Sequence, residues 1–375
     1  MIGDRAVAVI GAYGGVGTAA VRQLGEWELG PLRVGGHDLG RARALADGLP
    51  GVDCEAVAVD ANDPASLVAF CEGCRLVVNC AGPSFRIGDG IAVAALAAGA
   101  DYIDAGGEEP VQILLSRPGV LPPDRIALLS AGMVPGLSAL LVRSLVGRAR
   151  GPCRLTAYAG GLGRFTPGAA ADYLARLSSG SGTPLAAWRE GARRESALLP
   201  LRDVELPFFP RQVTGQPYLS TELERVARSS ALEELSWYTV FDGEHVLRAL
   251  RREPGSGGDP SIDAAAHALT RAAGLDAFGR KPYQRFVLRL DAGDEPSCTL
   301  VLRAHDPIAL TGAAVALVAR AALAGEVPPG LGFAGEVLDP DVSLERLREA
   351  TAVEGVDLLE IPRELERAPS EEGTL

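Results

Sequence analysis

A glycine-rich turn near the N-terminus constrains the fold more than any other feature of the sequence. The apolar run Val7–Ile10 leads into Gly-Ala-Tyr-Gly-Gly-Val-Gly at residues 11–17, and a helical pattern follows. In such a turn the glycines permit a tight bend, close approach of the backbone to a pyrophosphate and close helix–strand packing, while N–H groups at the helix N-terminus hold the anion. The motif predicts a dinucleotide site, with a purely structural turn as the alternative. The predicted cofactor-binding residues are Gly11, Ala12, Tyr13, Gly14, Gly15, Val16 and Gly17.

Strands and helices alternate through the first 149 residues, which is typical of a doubly wound α/β Rossmann domain with a mostly parallel sheet. The predicted strands are Ala6–Ile10, Leu32–Val34, Glu55–Val59, Leu76–Asn79, Tyr102–Asp104 and Ile126–Ser130. Because the carboxyl ends of the strands line the cofactor crevice, the residues after strands three and four are expected to contact the cofactor. These residues are Asp60, Ala61 and Asn62 for the adenine, and Asn79, Cys80, Ala81, Gly82 and Pro83 for the nicotinamide ribose.

The end of strand two indicates which dinucleotide is bound. An NAD-specific site usually has an acidic residue there, about 20 residues beyond the glycines, which binds the ribose 2′-hydroxyl. Here Gly35 and Gly36 are followed by His37 and Asp38, and Arg41 lies on the next turn. Glycine leaves room for a 2′-phosphate, and an arginine pairs with it bidentately. The pattern favours NADP(H), with His37 and Arg41 as contacts; Asp38 argues for NAD(H) unless it caps the next helix.

The sequence changes character after about residue 150. Glycine-rich loops and alternating segments appear, and Phe286–Leu290 with Cys298–Arg303 predicts an antiparallel hairpin. Residues 150–303 are therefore predicted to form an inserted mixed α+β domain for substrate binding or dimerisation. The helix Thr311–Ala324 is too apolar to stand alone, so we expect residues 304–345 to return and complete the Rossmann domain of residues 1–149. Residues 346–375 are predicted as a C-terminal extension with a disordered end at Pro369–Leu375.

Charge and cysteine content exclude several classes of partner. With 36 Lys and Arg against 48 Asp and Glu, the net charge of −12 argues against binding to nucleic acid or an anionic membrane. Met1–Arg5 leads directly into a strand without a signal-peptide pattern, so a cytoplasmic location is expected. Cys71-x-x-Cys74 has neither a second pair nor a nearby histidine, so no metal site is predicted.

Several segments resemble the saccharopine dehydrogenase-like oxidoreductases, on the saccharopine reductase side. They are Gly11–Gly17, Val78–Pro83, Gly99–Asp104, Gly132–Ser138 and the region Thr311–Leu338, which ends in Gly332–Leu338. The resemblance covers the first 140 or so residues and about 40 near the end. It implies chemistry at C–N or C=N bonds between amino acids and oxo compounds, and a homodimer formed through the sheet of the second domain. His37 stands where many members have an arginine.

Imine reduction needs a proton donor near the substrate nitrogen as well as a hydride donor. Tyr102, Asp104 and Glu108 lie in strand five or follow it, at the crevice, and Asp104 is the predicted catalytic residue among them. The alternative for Asp104 is an N-cap or a loop hydrogen bond. From the second domain we select Tyr158, which precedes a glycine-rich loop able to approach the substrate.

The sequence therefore predicts an NADP(H)-dependent oxidoreductase, with NAD(H) as the other possible cofactor. It would transfer a hydride to or from a C=N or C–N group, or a carbonyl, of a small amino-acid-like metabolite. Two alternatives remain open. One is a catalytically silent dinucleotide-binding sensor or assembly protein, and the other is a C=C or C=O reductase on the same scaffold.

Overall fold

The computed structural model describes residues 5–230, 232–251, 261–293 and 296–361. In the first part of the chain, strands and helices alternate as the sequence predicts. The strands are β1 (Ala6–Ile10), β2 (Leu32–Gly36), β3 (Cys54–Ala58), β4 (Cys74–Asn79), β5 (Asp101–Asp104) and β6 (Ile126–Leu129). The helices are α1 (Gly15–Glu26), α2 (Leu39–Asp47), α3 (Pro64–Cys71), α4 (Ser84–Ile87), α5 (Gly90–Ala97), α6 (Glu109–Leu115) and α7 (Leu137–Val146).

The second part of the chain contains longer strands and fewer alternations. Its strands are β7 (Cys153–Leu162), β8 (Gly182–Pro184), β9 (Ala187–Arg189), β10 (Ala192–Arg194), β11 (Leu201–Glu205), β12 (Gln212–Ser220), β13 (Leu232–Phe241), β14 (Tyr283–Ala292), β15 (Ser297–Ala304), β16 (Gly330–Phe333) and β17 (Val353–Ile361). Its helices are α8 (Pro167–Ser179), α9 (Thr221–Ser229), α10 (Glu244–Leu250), α11 (Ile262–Asp276), α12 (Pro307–Leu323), α13 (Ala334–Val337) and α14 (Pro340–Arg348).

The first sheet is parallel and has the strand order β16-β6-β5-β4-β1-β2-β3 across the described residues. The part β6-β5-β4-β1-β2-β3 is the order of a doubly wound Rossmann sheet, which confirms the predicted fold class. The sequence analysis missed β16, which pairs with β6 although about 200 residues separate them. Both faces of the sheet are covered, because Val7 and Val9 of β1 lie in one apolar core and Ala8 and Ile10 lie in another.

Helix α12 returns to the first sheet and packs beside α1. It begins at Pro307, earlier than the sequence predicts, because the Asp306 carboxylate caps it by accepting from the N–H groups of Ile308 and Ala309. A Cβ atom on Gly312 would lie 2.4 Å from the Cβ of Ala19, so glycine is required for the close approach of the two helices.

The second sheet is mixed and has the main order β10-β9-β13-β7-β14-β15-β17, with β12 beside β13. The antiparallel pairing of β14 and β15 confirms the predicted hairpin. Residues 353–361, which the sequence analysis assigned to a C-terminal extension, form an edge strand along β15. Pro369–Leu375 lies outside the described residues. The inner face of this sheet shares the apolar core of the first sheet, with α7, α9 and α12 between them.

Candidate functional site

The glycine turn fits a pyrophosphate because it has no room for side chains. Gly11 has a φ of 73°, and a Cβ atom on it would lie 2.6 Å from the backbone nitrogen of Ala81. A Cβ atom on Gly17 would lie 2.2 Å from the carbonyl oxygen of Gly11. Gly14 precedes the first turn of α1, whose N–H groups have no acceptor within the helix. The turn therefore packs against the loop after β4 and presents backbone donors to an anion.

Helix α8 of the second domain lies along the crevice beside this turn. Its N-cap residue, Thr166, packs against Gly15, since a Cβ atom there would lie 2.8 Å from the Thr166 methyl group. Three residues at four-residue spacing then contact the loops of the Rossmann domain. Gly168 lies against Gly82, Asp172 binds Ser84, and Arg176 binds Val134. Residues four apart lie on one face of a helix, so one face of α8 covers the carboxyl ends of the strands.

Asp104, the predicted catalytic residue, has a carboxylate that is fully occupied. It accepts hydrogen bonds from Asn79 Nδ2 (3.0 Å), Tyr102 OH (2.7 Å) and the N–H groups of Gly106 and Gly107 (2.8 Å each). Burial and the neighbouring Asp104 carboxylate raise the pKa of Tyr102 well above its ordinary value, so the phenol stays a donor. Asp104 thus joins the ends of β4 and β5. This geometry matches the loop-hydrogen-bond alternative rather than a role as proton donor.

The loop after β4 is held by the same network. Asn79 is 1 % exposed, and its side-chain oxygen accepts from the N–H group of Ala81 at 2.9 Å. The bond fixes the start of the predicted cofactor segment, Asn79–Pro83. Burial raises the pKa of the Cys80 thiol to about 12, with a smaller contribution from the Asp104 charge. The thiol is therefore neutral and is not an activated nucleophile.

Glu108 differs from Asp104 in having no hydrogen-bond partner for its carboxyl group among the described residues. It directly precedes α6 and is partly buried at the crevice, and no described residue donates a hydrogen bond to its carboxyl group. Burial raises the pKa of Glu108, and Glu109 and Asp172 add to this effect, while Arg176 and Arg225 oppose it. A carboxyl group with a raised pKa beside cations, and free to bind something else, is suited to proton transfer.

Asp172 and Arg176 were missed by sequence reasoning, although their four-residue spacing with Gly168 is visible in the sequence. Asp172 Oδ1 accepts from the Ser84 N–H group at 2.8 Å and from its hydroxyl group at 2.9 Å. Burial raises the pKa of Asp172 against these hydrogen bonds. Arg176 donates to the Val134 carbonyl oxygen at 2.9 Å, and no described carboxylate forms a salt bridge with it. Its guanidinium therefore keeps donors for a ligand.

The tip of β2 brings together three residues predicted from the sequence. The Tyr13 hydroxyl lies 3.0 Å from Nδ1 of His37, and the Arg41 guanidinium carbon lies 4.4 Å from the centre of the Tyr13 ring. Asp38, the residue that argues for NAD(H), caps α2 by accepting from the Arg41 N–H group at 3.0 Å. Its carboxylate has the capping role that the sequence analysis offered as the alternative.

Two comparisons with known proteins find similarity to saccharopine dehydrogenases. Residues 7–117 match the family model described as the saccharopine dehydrogenase NADP binding domain. The fold is similar to that of saccharopine dehydrogenase (L-Glu forming) from Saccharomyces cerevisiae, with a TM-score of 0.67 over 95 % of this chain and 100 % of the yeast chain, at 14 % identity. The chain is therefore similar to saccharopine dehydrogenases in two respects: the NADP-binding domain over residues 7–117, and the fold. The match of residues 7–117 to an NADP-binding domain indicates an NAD(P)-dependent oxidoreductase.

Other solved structures match only part of this chain. Triphenylmethane reductase from Citrobacter sp., complexed with NADP(H), is 24 % identical over 27 % of this chain and 37 % of that protein, with a TM-score of 0.23. A metagenomic short-chain oxidoreductase in complex with NADP is 23 % identical over 28 % and 63 % of the two chains, also with a TM-score of 0.23. Structural similarity this low supports no conclusion. No curated protein matches the sequence significantly.

Tyr158, the second predicted catalytic residue, lies away from the crevice. Its neighbours Ala157 and Ala159 belong to the apolar core shared with α7 and α12. Side chains alternate between the faces of a strand, so Tyr158 is on the opposite face of the second sheet. There its ring stacks on that of Tyr238, with 5.4 Å between the ring centres. This position separates Tyr158 from the loops that hold Asn79 and Glu108.

Asp60, predicted to contact the adenine, lies in the loop after β3. Its side-chain oxygen accepts from the backbone and side-chain nitrogens of Asn62, at 2.9 and 3.2 Å. These bonds shape the loop Asp60–Asn62, and the adenine contact remains a prediction. In the described ranges, no three His, Cys, Asp or Glu side chains lie together as a metal site would require. No described helix has both the length and the apolar character needed to cross a membrane.

Proposed function

We propose that the chain is an NADP(H)-dependent oxidoreductase acting on a C=N or C–N group, or a carbonyl, of a small amino-acid-like metabolite. The reaction takes place in the crevice between the Rossmann loops and α8. The observation that carries the proposal is the Glu108 carboxyl group, which has no hydrogen-bond partner among the described residues. It lies beside the proposed cofactor site and near the cation of Arg176.

The proposed cofactor-binding site is formed by the backbone of the glycine turn, by the loop after β4 and by the tip of β2. When bound, NADP(H) supplies or accepts the hydride. The glycine turn holds the pyrophosphate on the N–H groups of α1, and the Asn79–Pro83 loop, packed against Gly11, borders the nicotinamide half. Two observations support NADP(H) rather than NAD(H). Arg41 lies at the tip of β2, and the Asp38 carboxylate caps α2 instead of facing a ribose 2′-hydroxyl.

Glu108 is the proposed proton donor in reduction and acceptor in oxidation. A substrate nitrogen or oxygen that gains electrons needs a proton, and a carboxyl group with a raised pKa keeps that proton at a higher pH than an exposed glutamate. Asp172 also has a raised pKa, but Ser84 occupies its Oδ1 atom with two hydrogen bonds. We therefore assign Asp172 to positioning α8 over the crevice.

Arg176 is the proposed anchor for a substrate carboxylate. Only its Nη1 atom is used, in the bond to Val134, among the described residues. A planar guanidinium binds a carboxylate through paired hydrogen bonds, which fixes the orientation of the substrate as well as its position. An anchored carboxylate and a proton donor on opposite walls of the crevice fit an amino-acid-like metabolite.

We also propose a cytoplasmic homodimer. The stacked pair Tyr158 and Tyr238 lies on the face of the second sheet that is turned away from α7 and α12, where a second copy would pack. Light scattering of the purified protein tests this, and a monomeric mass at micromolar concentration would contradict it.

The function is tested with purified protein and two matched variants. Calorimetry first measures the binding of NADPH and NADH, and the oxidation of NADPH is then followed with pairs of amino acids and 2-oxo acids, and with free carbonyl compounds. Glu108→Gln should lower kcat by about 100-fold or more, while NADPH affinity stays the same. Glu109→Gln changes the neighbouring carboxylate, which pairs with Arg225, and should lower kcat far less.

Two results would contradict the proposal. One is a protein that binds neither NADPH nor NADH. The other is a Glu108→Gln variant that turns over at the rate of the unmodified protein. Binding without any turnover across the substrate set would favour the silent sensor.

A further inference from the structure

Tyr13, the third residue of the glycine turn, lies against the tip of β2. A Cβ atom on Gly36 would lie 2.5 Å from the Tyr13 ring, so the last residue of β2 must be glycine to make room for it. The ring therefore lies between the pyrophosphate turn and the strand end that faces the adenosine ribose in Rossmann domains. The position makes Tyr13 part of the ribose end of the site as well as of the pyrophosphate turn.

The Tyr13 hydroxyl orients His37. It accepts a hydrogen bond from the Asp38 N–H group at 2.9 Å and lies 3.0 Å from Nδ1 of His37. A backbone N–H group can only donate, so the phenol proton is left for another acceptor, and Nδ1 is the one within reach among the described residues. When Tyr13 donates to Nδ1, the proton of a neutral His37 ring lies on Nε2. His37 is exposed, and its Nε2–H group is then a donor for a ligand.

The Tyr13 ring holds Arg41 as well. The guanidinium carbon lies 4.4 Å above the ring centre, within cation–π range, and Nη2 lies 3.4 Å from the Tyr13 carbonyl oxygen. The one carboxylate at this strand end, Asp38, is turned to the cap of α2. Tyr13 thus contacts both the Arg41 cation and the His37 ring that donates through Nε2–H. Both groups lie next to Gly35 and Gly36, the glycines that end β2.

We propose that Tyr13 is a specificity-determining residue that positions Arg41 and His37 to bind a phosphate monoester on the ribose 2′-oxygen. The inference rests on the proposed use of NADP(H), and it adds the residue that organises the 2′-phosphate contacts. The ring places the cation of Arg41, and the hydroxyl sets the direction in which His37 donates. A free 2′-hydroxyl has neither the negative charge nor the several acceptor oxygens of the phosphate, so Tyr13 acts on the discrimination between the two cofactors.

The test uses adenosine 2′,5′-bisphosphate and adenosine 5′-monophosphate as probes, because they need no substrate and no turnover. We expect the unmodified protein to bind the bisphosphate at least tenfold more tightly. Tyr13→Phe keeps the ring and loses the hydroxyl, so this preference should fall about fivefold, the equivalent of one hydrogen bond. Tyr13→Ala loses both contacts and should abolish most of the preference. The affinity for the monophosphate should change less than twofold in each variant.

A control variant removes a different positive charge from α2, the helix that carries Arg41. Arg43 is exposed on α2, and Arg43→Ala should leave the preference for the bisphosphate unchanged. Circular dichroism of Tyr13→Ala checks that it is folded, and Tyr13→Phe remains informative if it is not. The proposal is overturned if both probes lose affinity equally in Tyr13→Phe, or if Tyr13→Ala binds the bisphosphate more tightly. Because catalysis is not measured, failure of the oxidoreductase proposal would appear separately, as absent turnover with the probe preference intact.

Discussion

Glu222 of α9 binds Ser138 of α7 through a buried hydrogen bond of 2.6 Å. The second carboxyl oxygen of Glu222 accepts from the N–H group of Gly136 at 2.6 Å. Glu222 therefore caps the N-terminus of α7, directly after the loop that Arg176 contacts at Val134. This acid connects the second domain to the Rossmann loop after β6, and burial raises its pKa to about 7.

The titration of Glu222 predicts a pH dependence of stability. The unfolded chain releases this proton near 4.5 and the folded chain near 7. Glu222 therefore stabilises the fold most below pH 4.5, where it is protonated in both states. Between pH 4.5 and about pH 7 the free energy of unfolding falls by about 3 kcal/mol. Glu222→Gln lacks the titrating carboxyl group. Urea unfolding of this variant from about pH 5 to about pH 8 should therefore show a smaller fall in the free energy of unfolding than the unmodified protein. Ser138→Ala removes a hydrogen bond that lowers this pKa, so the fall should still begin near pH 4.5 but extend to higher pH.

The raised pKa of Glu108 predicts a pH–rate profile. In the reductive direction kcat should stay high while Glu108 is protonated and fall above its pKa, which lies higher than that of an exposed glutamate. The oxidative direction should show the opposite dependence. Initial rates with saturating NADPH measure the profile. A Glu108→Gln variant that keeps the same fall would assign it to another group.

Asp104→Asn should lower stability. The amide replaces one acceptor oxygen by a donor, so at least one buried partner among Tyr102, Asn79 and the two glycine N–H groups loses its bond. The expected loss is about 1–3 kcal/mol in urea unfolding. Tyr158→Phe, on the far face of the second sheet, should leave kcat unchanged. Asp104→Asn with full stability and a kcat lowered 100-fold would instead restore Asp104 as the proton donor.

Arg41→Ala should weaken NADPH much more than NADH. The arginine lies at the tip of β2, where a 2′-phosphate would be bound, and a charge-assisted bidentate contact of this type contributes about 1.5–3 kcal/mol. Calorimetry with both cofactors measures the difference. An equal loss for NADPH and NADH would show that Arg41 does not contact the phosphate.

Gly17→Ala should disrupt the glycine turn, since its Cβ atom would lie 2.2 Å from the carbonyl oxygen of Gly11. We expect a loss of cofactor binding together with a lower melting temperature. Gly274→Ala is the control within a helix, because a Cβ atom there meets no described atom within 4 Å. It should raise stability by about 0.5–1 kcal/mol and leave binding unchanged.

Local patterns in the sequence predicted the first sheet and the cofactor end of the site. Gly11–Gly17 and the runs that became β1 to β6 are short continuous segments, and their glycines and alternating apolar residues are visible without the fold. The Asp38 cap also depends on a neighbour three residues away. These features were predictable because the residues that interact lie close together in the chain.

The substrate end was not predictable in this way. Asp172 meets Ser84, and Glu222 meets Ser138, across more than 80 residues of chain. Asp104 and Glu108 have similar positions after the same strand, and only the packed structure shows that one carboxylate is occupied and the other is not. The orientation of Tyr158 depended on which face of β7 is turned to α12, and no nearby residue indicates it.

The return of α12 and β16 to the first sheet has a consequence for how the chain is made. During synthesis, the strands β1 to β6 leave the ribosome long before Gly312 can pack on Ala19 or Phe333 can pair beside Leu129. Until then one side of α1 and one edge of the sheet are uncovered. The nucleotide-binding half is therefore the first to be translated, but it is completed only after the entire inserted domain has emerged.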